Sequence, residues 1–129
     1  MNPRTSLRHR GESLANPATQ LKVLKPQAGC QSVAARLNDA GISNLKSDTI
    51  EILQVNLGKL CNMTCSHCHV DAGPDRREIM TEETVDAVKN VVAQNSQIRT
   101  LDLTGGAPEM NPHFQSLVRH AKSLGRHVI

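Results

Sequence analysis

Aromatic residues are almost absent from this sequence, which has one Phe and neither Trp nor Tyr among its 129 residues. A core must therefore be built from Val, Leu, Ile, Ala and Met, without large aromatic anchors. No apolar run approaches the roughly 18 residues that span a bilayer, and the N-terminus lacks the apolar segment of a secretory signal. We expect a cytoplasmic protein with no membrane partner.

The basic excess is confined to the start of the chain. The net charge is +3, and five Lys and Arg residues precede Gln27 against Glu12 alone. Without aromatic interleaving or a basic helix face, this excess is not typical of a nucleic-acid interface, so no nucleic-acid partner is expected. Residues 1–27 are predicted to be a basic disordered tail.

The remainder alternates strand and helix patterns, which predicts an α/β fold with parallel strands. Residues 28–48 should contain a lead-in helix, and residues 49–129 should form the main domain. In that domain a helix capped by Thr81 should end near Asn95 and bury Val85, Val88, Val91 and Val92. The other predicted elements are strands at 49–57 and 98–103, a helix at 114–124 and the opening of a third strand at 127–129.

The third strand coincides with the end of the sequence. Two βα units and part of a third cannot close a barrel or cover both faces of a parallel sheet. We therefore expect residues 49–129 to be an incomplete domain, truncated at the third strand.

Three cysteines, Cys61, Cys65 and Cys68, follow the first predicted strand directly, with three residues and then two between them. Clustered thiols in a reducing compartment favour metal binding over disulfides. Short gaps allow one loop to wrap a single iron–sulfur cluster, and three ligands leave one iron of a cubane open for a substrate.

This C-x3-C-x2-C loop after a first strand resembles that of the radical S-adenosylmethionine (SAM) superfamily. The resemblance implies the first βα units of a partial TIM-type (β/α) barrel, and a 4Fe-4S cluster ligated by Cys61, Cys65 and Cys68. It also implies that the open iron binds SAM, which is cleaved to a 5′-deoxyadenosyl radical. His67 takes the usual aromatic position before the last cysteine, which places its ring near the adenine.

A glycine turn, Thr104 to Glu109, follows the second strand and reads T-G-G-A-P-E. By the same resemblance this segment contacts the methionine part of the cofactor, through Gly105, Gly106, Pro108 and Glu109. Ala107 stands where the family usually has Glu. The partner of the ammonium group is therefore either a backbone carbonyl near Gly106 or the Glu109 carboxylate.

Over a longer stretch, both segments are similar in sequence to the arsenosugar-biosynthesis radical SAM proteins with a Cys-rich region. They read L-Q-V-N-L-G-K-L-C-N-M-T-C-S-H-C-H-V-D-A-G-P and L-D-L-T-G-G-A-P-E-M-N-P. This resemblance implies adenosyl transfer to a trivalent methylated arsenical, with flavodoxin or ferredoxin as electron donor. No residue is assigned a catalytic role, and Asp71 and Gly73 are expected to shape the return of the loop.

Two other interpretations use the same loop. The three cysteines with His67 or His69 would suit a zinc site. The stretch Cys65 to His69 also spells C-x-x-C-H, a haem-attachment motif, although an export signal is lacking. Cys30 lies before the first strand and is left outside the site.

Overall fold

The computed structural model describes residues 5–25, 29–42 and 45–129. Within them three parallel strands pair in the order β1-β2-β3, where β1 is Ile52–Asn56, β2 is Thr100–Thr104 and β3 is His127–Val128. The register places Val55 beside Leu103 and Leu101 beside Val128. Parallel strands that neighbour one another in chain order and are joined by helices are the arrangement of the first units of a (β/α) barrel.

Four α-helices accompany the described strands. The helices α1, Pro17–Val23, and α2, Val33–Asp39, precede the sheet and bury no residue. The longer α3, Glu82–Gln94, begins at Thr81, whose side chain accepts a hydrogen bond from the Thr84 amide, and ends at Asn95. The last, α4, is Phe114–Ser123, and short 3-10 helices lie at Ser13–Ala15 and Pro108–Met110.

The core lies between α3, α4 and one face of the sheet. Alternate residues of a strand point to one face, which explains why Val55, Leu101 and Leu103 are buried while Ile52 is 60% exposed. The buried cluster comprises Val55, Leu57, Val85, Val92, Leu101, Leu103, Leu117 and Ala121.

The opposite face of the sheet is open in the described chain, and it carries polar side chains as well as the exposed Ile52. Gln54 on β1 donates from Nε2 to Oδ2 of Asp102 on β2, at 2.7 Å. Asn56, further along β1, is exposed on the same face. Helices on one face and polar side chains on the other fit the first βα units of a partial barrel, so the predicted fold class is confirmed.

The predicted buried stripe of α3 needs one correction. Val85 and Val92 are 0% and 1% exposed, but Val91 is 43% exposed, so its predicted burial is wrong. Six residues at 100° each place Val91 about 120° around the helix from Val85, away from the buried stripe.

The N-terminal part of the chain has local structure where it is described. Residues 5–25 contain turns, a 3-10 helix and α1, and Ser6 is only 2% exposed. Residues 1–4, 26–28 and 43–44, which belong to the predicted tail and lead-in region, lie outside the described residues. The predicted domain boundaries stay predictions. No helix among the described residues is long and apolar enough to cross a membrane.

The sheet–helix core predicts a sharp contrast between two substitutions. Leu117→Ala removes a side chain that is 1% exposed, and should lower the free energy of unfolding by about 2–5 kcal/mol. Val91→Ala, at the exposed position on α3, should change it by about 0.5 kcal/mol or less. Urea unfolding of both variants measures this difference, and similar losses for the two would contradict the described core.

Candidate cofactor site

The site begins where β1 continues past its last paired residue. Leu57 donates its amide to the carbonyl of Thr104 at 2.8 Å, which keeps the chain alongside β2. The carbonyls of Gly58 and Leu60 then accept from the amides of Gly106 and Ala107, both at 2.9 Å. The glycine turn therefore lies directly against the chain that leads into the cysteine loop.

The return arm of the loop, residues 71–80, pairs with the other edge of this same segment. Lys59 donates to the Glu78 carbonyl at 2.8 Å and accepts from the Gly73 amide at 3.0 Å. The Cys61 amide donates to the Gly73 carbonyl at 3.2 Å. The start of the loop is thus held by backbone hydrogen bonds on both sides, and its middle projects as turns.

Glycine is required where the glycine turn meets the loop. A Cβ on Gly106 would collide with the backbone carbonyl of Leu60. Gly105 has φ +138°, and a Cβ there would lie 2.7 Å from the carbonyl oxygen of Gly58. These contacts explain both glycines by packing, independently of any ligand.

The three loop cysteines are partly accessible thiols, and none is in a disulfide. Cys61 and Cys68 are of intermediate exposure, and Cys65 is exposed. Backbone amides reach two of the sulfurs: Met63 donates to Sγ of Cys61 at 3.4 Å and Ala72 donates to Sγ of Cys68 at 3.3 Å. Amide donors to sulfur are typical of iron–sulfur sites.

The structure does not bring the three thiols together as a ligand set. Among residues 5–25, 29–42 and 45–129, no three His, Cys, Asp or Glu side chains lie close enough to hold a metal ion. The cluster ligands therefore stay a prediction. Thiolates separated by only two or three residues can converge when a metal supplies the binding energy.

The other predicted cofactor residues flank the loop at different exposures. Gly105, Gly106 and Pro108 are half-buried beside its start, whereas His67 and Glu109 are exposed. None of the five lines the cavity of about 730 Å³ that opens next to Cys61. That cavity is lined by Leu60, Cys61, Asn62, Thr64, Pro74, Arg77 and Met110.

A charged network that sequence reasoning missed lies on the return arm. Asp71 and Arg76 are 7% and 6% exposed, and Nη1 of Arg76 donates to Oδ2 of Asp71 at 2.6 Å. The same guanidinium donates through Nε and Nη2 to the Glu78 carboxylate. Two acids flanking an Arg within eight residues were the available sequence signal, but burial of the pair depends on the fold.

The N-terminal segment, here residues Ser6 to Arg8, packs on this arm. The amides of Leu7 and Arg8 donate to the Asp71 carboxylate, Leu7 at 2.5 Å. Ser6 donates to Asp75 from its amide and from its hydroxyl, both at 2.7 Å. No local sequence signal predicts this contact, because Ser6 and Asp75 are 69 residues apart.

These contacts lower the pKa values of two carboxyl groups on the return arm. Burial raises the pKa of Asp75, but hydrogen bonds from the Ser6 side chain and backbone leave that pKa below its ordinary value. The pKa of Glu78 falls to about 2, mainly because Arg76 donates hydrogen bonds to it. The return arm is therefore held with these carboxylates ionised at neutral pH.

Comparison with known proteins defines the class to which this arrangement belongs. The cysteine loop after β1 and the glycine turn after β2 lie at the carboxyl ends of parallel strands, where functional loops collect in α/β cores of this kind. The Radical SAM superfamily matches residues 55–129, more than half of the chain. The chain belongs to the Radical SAM superfamily.

Similar curated proteins include probable GTP 3′,8-cyclases. The chain is 30% identical to that of Sulfurisphaera tokodaii over 77 residues, which cover 60% of this chain and 24% of the relative. It is 33% identical to that of Saccharolobus islandicus strain L.S.2.15 over 76 residues, covering 59% and 24%. The chain thus spans about a quarter of the length of these relatives. No solved structure matches it significantly.

The arm network predicts an acid dependence of stability. Because the pKa of Glu78 drops from 4.5 to about 2 on folding, its ionised form stabilises the fold above about pH 4.5, and this contribution is lost as pH falls through about 2. Glu78 is 55% exposed, so solvent screening keeps the effect to about 1 kcal/mol or less.

Unfolding free energies of the wild type and Glu78→Gln should therefore differ at neutral pH and converge near pH 2. Glu12→Gln, an exposed substitution outside the Arg76 contact, serves as the control and should show no such convergence. A constant difference between wild type and Glu78→Gln at all pH values would refute the pairing with Arg76.

Proposed function

We propose that this chain carries the cofactor-binding part of a radical SAM enzyme, with Cys61, Cys65 and Cys68 as ligands of a 4Fe-4S cluster. The observation that carries the proposal is the direct backbone pairing of the loop start with the glycine turn, through Gly106 to Gly58 and Ala107 to Leu60. This pairing puts a three-thiol loop and a close-approach turn at the same end of a parallel sheet.

The donor chemistry of the loop fits such a cluster. It offers three unpaired thiols, and amides of Met63 and Ala72 already donate to two of the sulfurs. A fourth cysteine, Cys30, is exposed and lies before β1. Three thiolates with amide donors match cluster ligation, whereas a closed zinc site requires a fourth ligand such as His67 or His69, both exposed.

When bound, the cluster would supply the electron that cleaves SAM reductively to methionine and a 5′-deoxyadenosyl radical. The residues of this chain would bind the cluster and SAM and orient them relative to each other. The loop cysteines would hold the iron. Gly105 and Gly106 let the turn lie against the start of that loop, and from there the turn would contact the methionine part. His67 would pack near the adenine, while Pro108 and Glu109 would complete the cofactor-binding turn. Ferredoxin or flavodoxin is the proposed reductant, in the cytoplasm.

We further propose that the substrate is a trivalent methylated arsenical, to which the adenosyl group is transferred. This proposal is supported by the similarity of the loop and glycine-turn sequences to those of arsenosugar-biosynthesis radical SAM proteins. The cyclase relatives favour GTP as the second candidate substrate, and the match to this chain covers about a quarter of their length.

Anaerobic reconstitution tests the cofactor. The chain should take up about four irons and four sulfides, and Cys→Ser at position 61, 65 or 68 should abolish that uptake because a thiolate ligand is lost. Cys30→Ser is the matched control and should load like the wild type. Zinc without sulfide, or a haem spectrum that survives air, would replace the cluster assignment.

Reductive cleavage tests the substrate. With dithionite and SAM, we expect 5′-deoxyadenosine, and addition of a trivalent dimethylated arsenical should divert the adenosyl group into an arsenic-containing product seen by mass spectrometry. The parallel reaction with GTP should leave the nucleotide unchanged. Conversion of GTP, with the arsenical untouched, would assign the chain to the cyclase chemistry instead.

A further inference from the structure

We propose that Asp71 is a positioning residue for the Cys68 sulfur, and that the N-terminal segment belongs to the cofactor site because its amides hold Asp71 in place. The proposal rests on the proposed function, since it assigns these residues to the surroundings of the cluster. It extends the site to a part of the chain that precedes β1 by more than forty residues.

The backbone of Asp71 directs an amide at the sulfur. Its φ is +52°, the left-handed region that few non-glycine residues adopt, and no other non-glycine residue in the described chain has a positive φ. In this conformation Asp71 donates its amide to the Cys68 carbonyl at 3.2 Å. The next amide, that of Ala72, donates to Sγ of Cys68 at 3.3 Å. The two amides therefore hold Cys68 at both its carbonyl and its sulfur.

The carboxylate of Asp71 keeps that conformation in place. It accepts from the Leu7 amide at 2.5 Å, from the Arg8 amide at 3.2 Å and from Nη1 of Arg76 at 2.6 Å. Nη1 also donates to the Asp71 backbone carbonyl at 3.0 Å, so Arg76 contacts both ends of the residue. Because a buried carboxylate is costly without partners, loss of these donors should release the turn.

The N-terminal segment also lies near Cys68. Leu7 of this segment, together with Leu14 and Ala15 further along the chain, lines a cavity of about 280 Å³ whose lining also includes Cys68 and Asp71. Ser6 anchors the segment to Asp75 by two hydrogen bonds and is 2% exposed. The segment and the second half of the cysteine loop therefore pack as one unit.

Hydrogen bonds to cluster sulfurs and the residues that orient them set reduction potential and ligand affinity. An amide donor to Cys68 stabilises the reduced, more negative cluster. Asp71 and the amides that hold it would therefore raise the potential, and a purely structural staple would leave it unchanged.

The test uses Leu7→Pro, which deletes one amide donor to Asp71 without changing charge. Leu7→Ala, which keeps the amide and loses the side chain, is the matched control. In the metal-free chain, hydrogen exchange of the segment 69–76 should accelerate about tenfold in Leu7→Pro, because a hydrogen bond to a charged group is lost, and should stay near wild type in Leu7→Ala. Protection of α3 reports whether the variant is folded.

Asp71→Asn gives a second variant. Asn tolerates the left-handed conformation but lacks the charge, so exchange in the same segment should again accelerate. Wild-type exchange in both Leu7→Pro and Asp71→Asn, with α3 still protected, would overturn the proposal, as would equal acceleration in Leu7→Pro and Leu7→Ala.

The reduction potential supplies the readout that a structural role would not move. In the reconstituted protein, Leu7→Pro should shift the cluster potential to more negative values relative to Leu7→Ala. Equal potentials in Leu7→Pro and Leu7→Ala would mean that the segment has a structural role only, and would overturn the positioning role. If no cluster forms even in the wild type, the proposed function fails, while the exchange measurement still decides whether Leu7 and Asp71 order the chain beside Cys68.

Discussion

Backbone hydrogen bonding along residues 57–61 is the constraint on which the site depends. This segment continues β1 and is paired on one edge with the glycine turn and on the other with the return arm. Buried backbone groups need partners, so the three pieces can pack only in this mutual register. That register requires glycine at positions 106 and 105, because a Cβ there would collide with the backbone of Leu60 or Gly58, respectively.

Buried charge is the second constraint, and it explains why distant parts of the chain are joined. Asp71 and Arg76 are both more than nine-tenths buried, which costs free energy unless every polar atom is satisfied. Arg76 donates hydrogen bonds to Asp71 and Glu78. The amides of Leu7 and Arg8 donate to the remaining acceptor sites of the Asp71 carboxylate. The return arm is therefore ordered by directional hydrogen bonds, which a pair of apolar side chains at these positions would not provide.

The parts of the fold that the sequence predicts are those encoded locally. Thr81 followed by Glu82 and Glu83 marks the start of α3, and the structure confirms both that start and the end at Asn95. Burial of Val91 was mispredicted because it depends on where α4 packs. The contact of Ser6 with Asp75 spans 69 residues and follows from tertiary packing alone. The cysteine ligands stay predictions, since convergence of their sulfurs depends on a bound metal.

In the proposed enzyme, cofactor chemistry and substrate choice belong to different surfaces. The cysteine loop and the glycine turn lie at the carboxyl ends of β1 and β2, within the region of residues 55–129 that matches the superfamily. A shared core supports many reactions, so the substrate must be selected by other side chains. In that proposal the polar face that carries the Gln54 to Asp102 hydrogen bond would be one such surface, because inward-facing strand residues line the interior when a (β/α) barrel closes. The same alternation that buries Val55 and Leu103 against the helices thus leaves polar groups of both strands facing the place where a substrate would sit.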